Sequence, residues 1–480
     1  MDLTVLTADE PSVDTNPRVF DSRDVPADPQ VLAALARGVV DVDLAAPPVV
    51  LPDFHHKADL EMPSSIAVAT RRTIRSAFTS ASVNCGMALM ALDMEVPDER
   101  AVAAFFGAVR SRYPHPPSWR RDLSFNDVLR AAEEGAAFSV DRYGLPPEAL
   151  ERIEESGRLS LDAHGGVDRL RRELPRLSFH VSRHRFGSIG PSNHFVELQR
   201  VEEILDPEAA AVLGVAAGQL TLQYHAGGGL LTGQVGRLFA QRQKKHGALQ
   251  LQMALARPLA HVAKARSVAQ LRERLALYFH SGCPTIPLDS DEGSRVMLAN
   301  AAAMNYGFAF RAATYASLAR LATEVFGAGS TRLIVDSPHN SIYEEEVGGR
   351  PAIVHRHNSC RAYPASRMTA GTAFGTVGQA VLLPGTHRTS SYLCVAGDAA
   401  EQSLYSACHG AGTVIDKFAA DGESAADHLG RCTQRFRYRE QEVASVPHLD
   451  DRGVNAALGI MVTHGLVRPV ARMRPIAVLN

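Results

Sequence analysis

The sequence predicts an α+β protein. Its β-like runs and helical stretches fall in separate blocks, one long helical stretch is apolar on nearly every face, and the last third returns to short β-like runs between Gly-containing turns. A chain of 480 residues can bury a large core around such elements.

Residues 1–47, rich in Asp and Pro, read as a lead-in. Residues 48–93 read as strands and tight loops (VVLPDFH, SSIAVAT, then SASVNCGMALMAL), the last a run of small residues suited to a buried strand. Residues 97–185 turn Arg/Glu-rich with helical spacing, as in FNDVLRAAEEGAAF and VDRLRRELPRL, and are broken by YPHPPSW and YGLPPEAL. This block is expected to be a helical insertion. HFVELQRVEEIL and QLTLQYHAG return to strand character, and a helical region is expected over residues 236–280. The stretch SRVMLANAAAMNYGFAFRAATYASLARLATEVF predicts a helix that is buried, because it offers no polar face to water. Short strands follow at RLIVDSPHN, PAIVHRHN, AVLLPGT and SSYLCVAG.

Composition bounds the function. A formal net charge of -2 supplies no global positive field for nucleic acid, so any such contact needs a local patch, with the Arg-rich runs at 110–121 and 169–185 as candidates. The N-terminus lacks a basic stretch followed by a long apolar one, and no apolar run reaches the ~18–20 residues of a spanning helix. No membrane partner is expected. Six scattered cysteines without a CxxC pair read as reduced thiols, which points to the cytoplasm.

Nineteen histidines are present, and several stand at the ends of expected strands. They are His194 after Asn193, His225 before Ala226 and three glycines, His339 between Pro338 and Asn340, and His409 between Cys408 and Gly410. A single strand-end histidine is usually a satisfied hydrogen-bonding residue. Four of them, most beside a small or amide residue that admits close approach, point to a site. Imidazoles with one thiolate suit a borderline metal such as Zn²⁺ or Mn²⁺.

The segments carrying these histidines resemble the RtcB family of RNA ligases. FGSIGPSNHFVELQ is similar to the family's Gly-rich turn leading into Asn-His-Phe-x-Glu, YHAGGG to its second His-plus-Gly turn, and SPHN to its third His-Asn. VHRHNSCRA is a variant of His-Arg-Lys-Gly-Ala-Thr, PGTHRTSSY is similar to Pro-Gly-Ser-Met-Gly-x-x-Ser-Tyr, and CHGAG resembles the guanylylation motif. SVNCG resembles the cysteine-bearing strand, AMNYGFAFR a family helix, and PDFHHKADLEMPSSIAVAT the N-terminal PDxH region. The matches come in family order and span about residues 52–480.

The resemblance implies one large RtcB-like domain over residues 48–480 with a pleated, sandwich-like β core, surrounding helices and the 97–185 insertion. It implies that His409 is the nucleophile guanylylated by GTP, and that Cys85, His194, His225 and His339 bind metal: one or two Mn²⁺ ions, with Zn²⁺ an alternative. Asn193, Glu197, Asn340, Thr386, Ser391, Gly410, Ala411 and Gly412 would then hold the nucleotide. RNA with 3′-phosphate (or 2′,3′-cyclic phosphate) and 5′-hydroxyl ends is the implied substrate, and an archease-like activator a candidate partner. Asp336 is expected to orient His339.

The sequence also departs from the family pattern. Ser82 stands where the family has Asp, Gly229 and Thr413 where it has Arg, and His357 and Asn480 where it has Lys; Lys417 replaces a further Arg. Arg183, Arg185, His357, Arg388 and Lys417 are the candidate stand-ins for the lost phosphate partners. Two other readings therefore accompany the ligase: a repurposed metalloenzyme acting on another phosphorylated or nucleotide-like substrate, and a non-catalytic RNA-end binding protein.

Overall fold

The computed structural model describes residues 13–480 apart from 57–59, 113–120, 192, 241, 243–246 and 281. Lys57, the YPHPPSW break and part of the first Arg-rich run lie outside the described residues.

Two sheets organise the chain. The larger has nine strands, and its main path runs Ala380–Leu383, Ser391–Ala396, Val467–Leu479, Phe195–Ile204, Leu220–Ala226, Gly86–Leu92, Thr331–Pro338. Every neighbour on that path is antiparallel. The second sheet has five strands and includes Val49–His55, Ser64–Thr70, Arg350–His357 and Asn340–Val347. A short pair, Ser359–Arg361 with Ser406–Cys408, lies beside them. The expected α+β class with a sandwich-like core is what the structure contains.

Alternation decides which side chains face which layer. On the Gly86–Leu92 strand, Ala88, Met90 and Leu92 join the cluster packed on the long helix, while Met87, Leu89 and Ala91 belong to a separate cluster with Val201, Leu382 and Leu393. The helix itself, Asp291–Leu321, is buried along nearly all of its length, as its all-round apolar pattern predicts. Ser290 caps it by accepting from the Gly293 N–H. Gly86 on the strand and Gly307 on the helix let the two approach closely. A Cβ on Gly86 would come within 2.7 Å of the Ser337 carbonyl oxygen and 2.8 Å of the Arg311 guanidinium carbon.

The block after the first strands is helical, including Glu99–Ser111, Phe125–Glu134 and Ala136–Tyr143. The helical region expected at 236–280 resolves into Gly229–Leu238, Gly247–Arg257 and Val268–Tyr278. Within the lead-in, Arg18–Val19 pairs in parallel with Val49–Val50, and the helix Pro29–Gly38 buries Leu35.

Candidate functional site

Three adjacent strands of the larger sheet end together, and each end carries a candidate ligand. Cys85 immediately precedes Gly86, which pairs with both Ala226 and Pro338. His225 is the next-to-last residue of its strand and pairs with Phe195, so His194 lies just beyond the same end. His339 is the single residue between the Thr331–Pro338 strand of the larger sheet and the Asn340–Val347 strand of the smaller. Its N–H donates to the Cys85 carbonyl (2.9 Å). His409 follows the Ser406–Cys408 strand directly.

These placements make a compact cluster. The ligand atoms of Cys85, His225 and His339 all lie within 4.8 Å of one another, and all three residues are buried. Cys85 Sγ is 3.2 Å from His225 Nε2 and 3.6 Å from Nε2 of the half-buried His194. The His409 ring stacks on His339 at 3.7 Å between centroids and 13° between planes, and lies 5.8 Å from His225. Sequence reasoning thus named five residues that the fold brings together from five separate segments.

The donor set suits a metal ion. His225 Nδ1 is 2.9 Å from the Asn193 carbonyl, which can only accept, so the proton of the neutral ring sits on Nδ1 and the Nε2 lone pair faces Cys85. Burial holds His194 down at about 4 and His409 at about 3, and pushes His225 and His339 well below the ordinary imidazole range. All four rings are therefore neutral near pH 7. Burial pushes the Cys85 thiol up to about 12, against the pull of the Arg311 charge. A metal ion would displace that thiol proton, and thiolate with imidazole is a borderline donor set. His409 Nδ1 is buried without a hydrogen-bond partner, an orphaned atom turned into the protein.

The remaining candidates divide. Gln199 Nε2 donates to Glu197 (2.7 Å), Gln223 (3.1 Å) and the Ser391 hydroxyl (3.3 Å), a buried polar cluster on the face of the sheet that also carries His225. Burial raises the Glu197 carboxyl to about 8. Ser391 also accepts from the Gly385 N–H, which ties the Thr386 turn to this cluster. Asn193 contributes its carbonyl to His225, and its residue is exposed. Asn340 is buried, with its side-chain oxygen accepting from the Asn358 N–H. Gly410 and Ala411 lead into the helix Gly412–Ala420, whose Thr413 and Val414 N–H groups donate to Asp53 at 2.8 and 3.3 Å. Those two N–H groups are engaged by Asp53, and the turn Gly410, Ala411 and Gly412 follows His409 directly in the chain.

Several expectations need correcting. The Asp336 carboxylate bonds to Arg311 Nε (2.6 Å) instead of to His339. Arg311 also donates to the Asn84 carbonyl beside Cys85, so it supports the cysteine turn, a role the sequence reading did not assign. A signal existed: Arg311 is the one charged residue between Arg295 and Arg320 in an apolar helix. His357 is no cationic stand-in for lysine, because burial holds it at about 3 and its Nδ1 bonds to the Pro63 carbonyl. Lys417 lines a cavity with Asp21, Asp24 and Asp53.

A family model described as tRNA-splicing ligase RtcB matches residues 39–480. The chain is similar to the tRNA-splicing ligase RtcB of Pyrococcus abyssi, with 29% identity over 417 residues covering 82% of this chain and 42% of that protein. It is 30% identical to the RNA-splicing ligase RtcB of Mycobacterium tuberculosis over 73% of this chain and 76% of that one, and 26% identical to the tRNA-splicing ligase RtcB of Thermococcus kodakarensis over 90% and 86%. The chain spans about two fifths of the length of the Pyrococcus relatives.

Proposed function

The chain belongs to the tRNA-splicing ligase RtcB family, and on that footing we propose that it is a metal- and GTP-dependent RNA ligase working through His409. The reaction joins RNA 3′-phosphate or 2′,3′-cyclic phosphate ends to 5′-hydroxyl ends. The observation that carries the reading is the neutral His409 ring stacked at 3.7 Å on His339, itself one of the buried Cys85–His225–His339 group.

A neutral imidazole is a competent nucleophile towards phosphorus. In the proposed first step a ring nitrogen of His409 bonds to the α-phosphorus of GTP, the bond to the bridging oxygen breaks and pyrophosphate leaves. A 2′,3′-cyclic phosphate end is first opened by water, which breaks the bond to O2′ and leaves a 3′-phosphate; the guanylate then passes to an oxygen of the RNA 3′-phosphate, releasing His409. The 5′-hydroxyl attacks that activated phosphorus, loses its proton, and GMP departs as the phosphodiester closes. Stacking on His339 fixes the plane of the His409 ring, and exclusion of water keeps it neutral. Cys85, His194, His225 and His339 would hold the metal, Mn²⁺ or Zn²⁺. A bound divalent ion neutralises charge on phosphoryl oxygens. Asn193, Glu197, Asn340, Thr386, Ser391 and the turn of Gly410, Ala411 and Gly412 would hold the nucleotide.

We take residues 48–480 as the catalytic domain and 97–185 as its insertion, an archease-like activator as the partner, and the cytoplasm as the compartment. Among the described residues, no helix is long and apolar enough to cross a membrane.

The test is ligation of two RNA fragments, one ending in 3′-phosphate and one beginning with 5′-hydroxyl, with Mn²⁺ and GTP. Joined product that disappears in His409→Ala is expected; a folded, metal-loaded protein that joins no ends in any nucleotide would overturn the reading. A second reading, action on a different phosphorylated substrate, draws on His357 being buried and neutral and on Asn480 being bonded to Arg435 (2.9 Å). If it is right, Ser82→Asp with Thr413→Arg should create or raise ligation.

A further inference from the structure

Where the family pattern has Met-Gly in the turn after Pro384-Gly385, this chain has His387-Arg388. The turn sits at the candidate site. Pro384 lies 4.0 Å from where a Cβ on Gly410 would be, Gly385 bonds to Ser391, and the Arg388 carbonyl accepts from the Leu449 N–H (2.8 Å). A second cation, Arg435 on the Cys432–Phe436 strand, lies in the same region near the C-terminus of the chain. Asn480 follows the Leu479–Val196 pair, beside the start of the strand that His194 precedes, and its side-chain oxygen accepts from Arg435 Nε.

Among the described residues neither Arg388 nor Arg435 makes an ion pair with a carboxylate; Arg388 Nε donates to the Pro447 carbonyl (3.3 Å), and the nearby Glu440 pairs with Arg437 instead. Their engaged groups are the Nε atoms, so both forks keep their terminal nitrogens for a ligand. His387 reports the resulting field: burial first, then the charges of Arg435, Arg388, His448 and Arg437, hold it down at about 4. It is a neutral ring among cations, with a N–H to donate.

We propose that Arg388 and Arg435, with His387 beside them, form a phosphate-binding rim on the candidate site that takes over from the cations missing at Gly229, Thr413, His357 and Asn480. The ligand is a phosphate group, from an RNA 3′ end or from the polyphosphate of a nucleotide. Planar guanidinium groups suit it, and an orphaned cation pair at a site mouth gains most by binding an anion. This deepens the ligase reading, on which it rests for the ligand class.

Binding tests it without catalysis. A fluorescent RNA oligomer with a 3′-phosphate, the same oligomer with a 3′-hydroxyl, and a fluorescent GTP analogue are titrated against the protein across a range of salt. His387→Met with Arg388→Gly, and separately Arg435→Gln, should weaken the phosphorylated oligomer or the nucleotide about tenfold, and lower the salt slope by about 0.7 per lost contact. Loss in the first ligand only assigns the rim to RNA ends, and loss in the third only to the polyphosphate. Arg435→Lys keeps the charge and should keep the slope, which separates lost charge from a disturbed fold. Unchanged affinity and slope for all three ligands, in variants that melt like the parent, would overturn the proposal. A protein that binds as expected but joins no ends would instead count against the ligase reading and leave the rim standing.

Discussion

At the scale of single residues, burial sets the protonation of the site and makes it measurable. Glu197 has its folded value raised to about 8 against an ordinary 4.5. A raised carboxyl contributes fully below about 4.5, and that contribution is lost as pH rises towards 8, because the folded state holds a proton the unfolded state has released. Glu197→Gln should abolish this slope, leaving the variant more stable than the parent at pH 8 by on the order of 3 kcal/mol, in denaturant titrations at pH 4.5 and 8. The Arg311–Asp336 pair gives a second prediction. Both side chains are buried, so Arg311→Met strands a carboxylate and should cost about 3–5 kcal/mol, while Arg311→Met with Asp336→Leu should recover much of it. Equal losses in the single and double variants would show that the bond to Asn84 matters more than the charge. The ligand histidines were legible because they stand at strand ends, most of them beside a small or amide residue. The contact that Asp336 makes was not legible, since its partner lies 25 residues away on another element.

At the scale of elements, the site depends on how closely strand and helix approach. Gly86→Ala would push a methyl group into the Ser337 carbonyl and Arg311, and neither can move without disturbing the Cys85 turn. A loss of about 2 kcal/mol is expected, with weakened metal retention by elemental analysis. Gly229 limits another experiment. It has φ +83° and a Cβ there would meet Tyr306 and Phe310 at 2.8 Å, so Gly229→Arg, although it restores the family residue, should lower the melting temperature instead of restoring function. The long helix was readable because it is apolar on nearly every face, and the ligand-bearing strands from their apolar and small-residue runs, whereas the Val467–Leu479 strand inside the larger sheet was not read. The capping of the His409 helix by Asp53 was not, because donor and acceptor are 360 residues apart in sequence and no local pattern encodes the bond.

At the scale of the whole molecule, the chain passes from one sheet to the other through His339, and that passage brings His409 on the short strand pair to the ligand cluster of the larger sheet. With a net charge of -2, binding of polyanions should depend on local Arg groups and fall steeply with salt. Cys85→Ser or His225→Ala should remove bound Co²⁺, seen as loss of its thiolate charge-transfer absorption, and retention of that band in Cys85→Ser would place the metal elsewhere. The central claim is that His409 becomes covalently guanylylated beside that cluster. The most direct measurement is incubation of the full chain with GTP labelled at the α-phosphate and Mn²⁺, followed by denaturing separation. The account predicts acid-labile label on the protein, absent in His409→Ala; label that persists in that variant, or no label with Mn²⁺, Zn²⁺ or Co²⁺ on a folded protein, would contradict it.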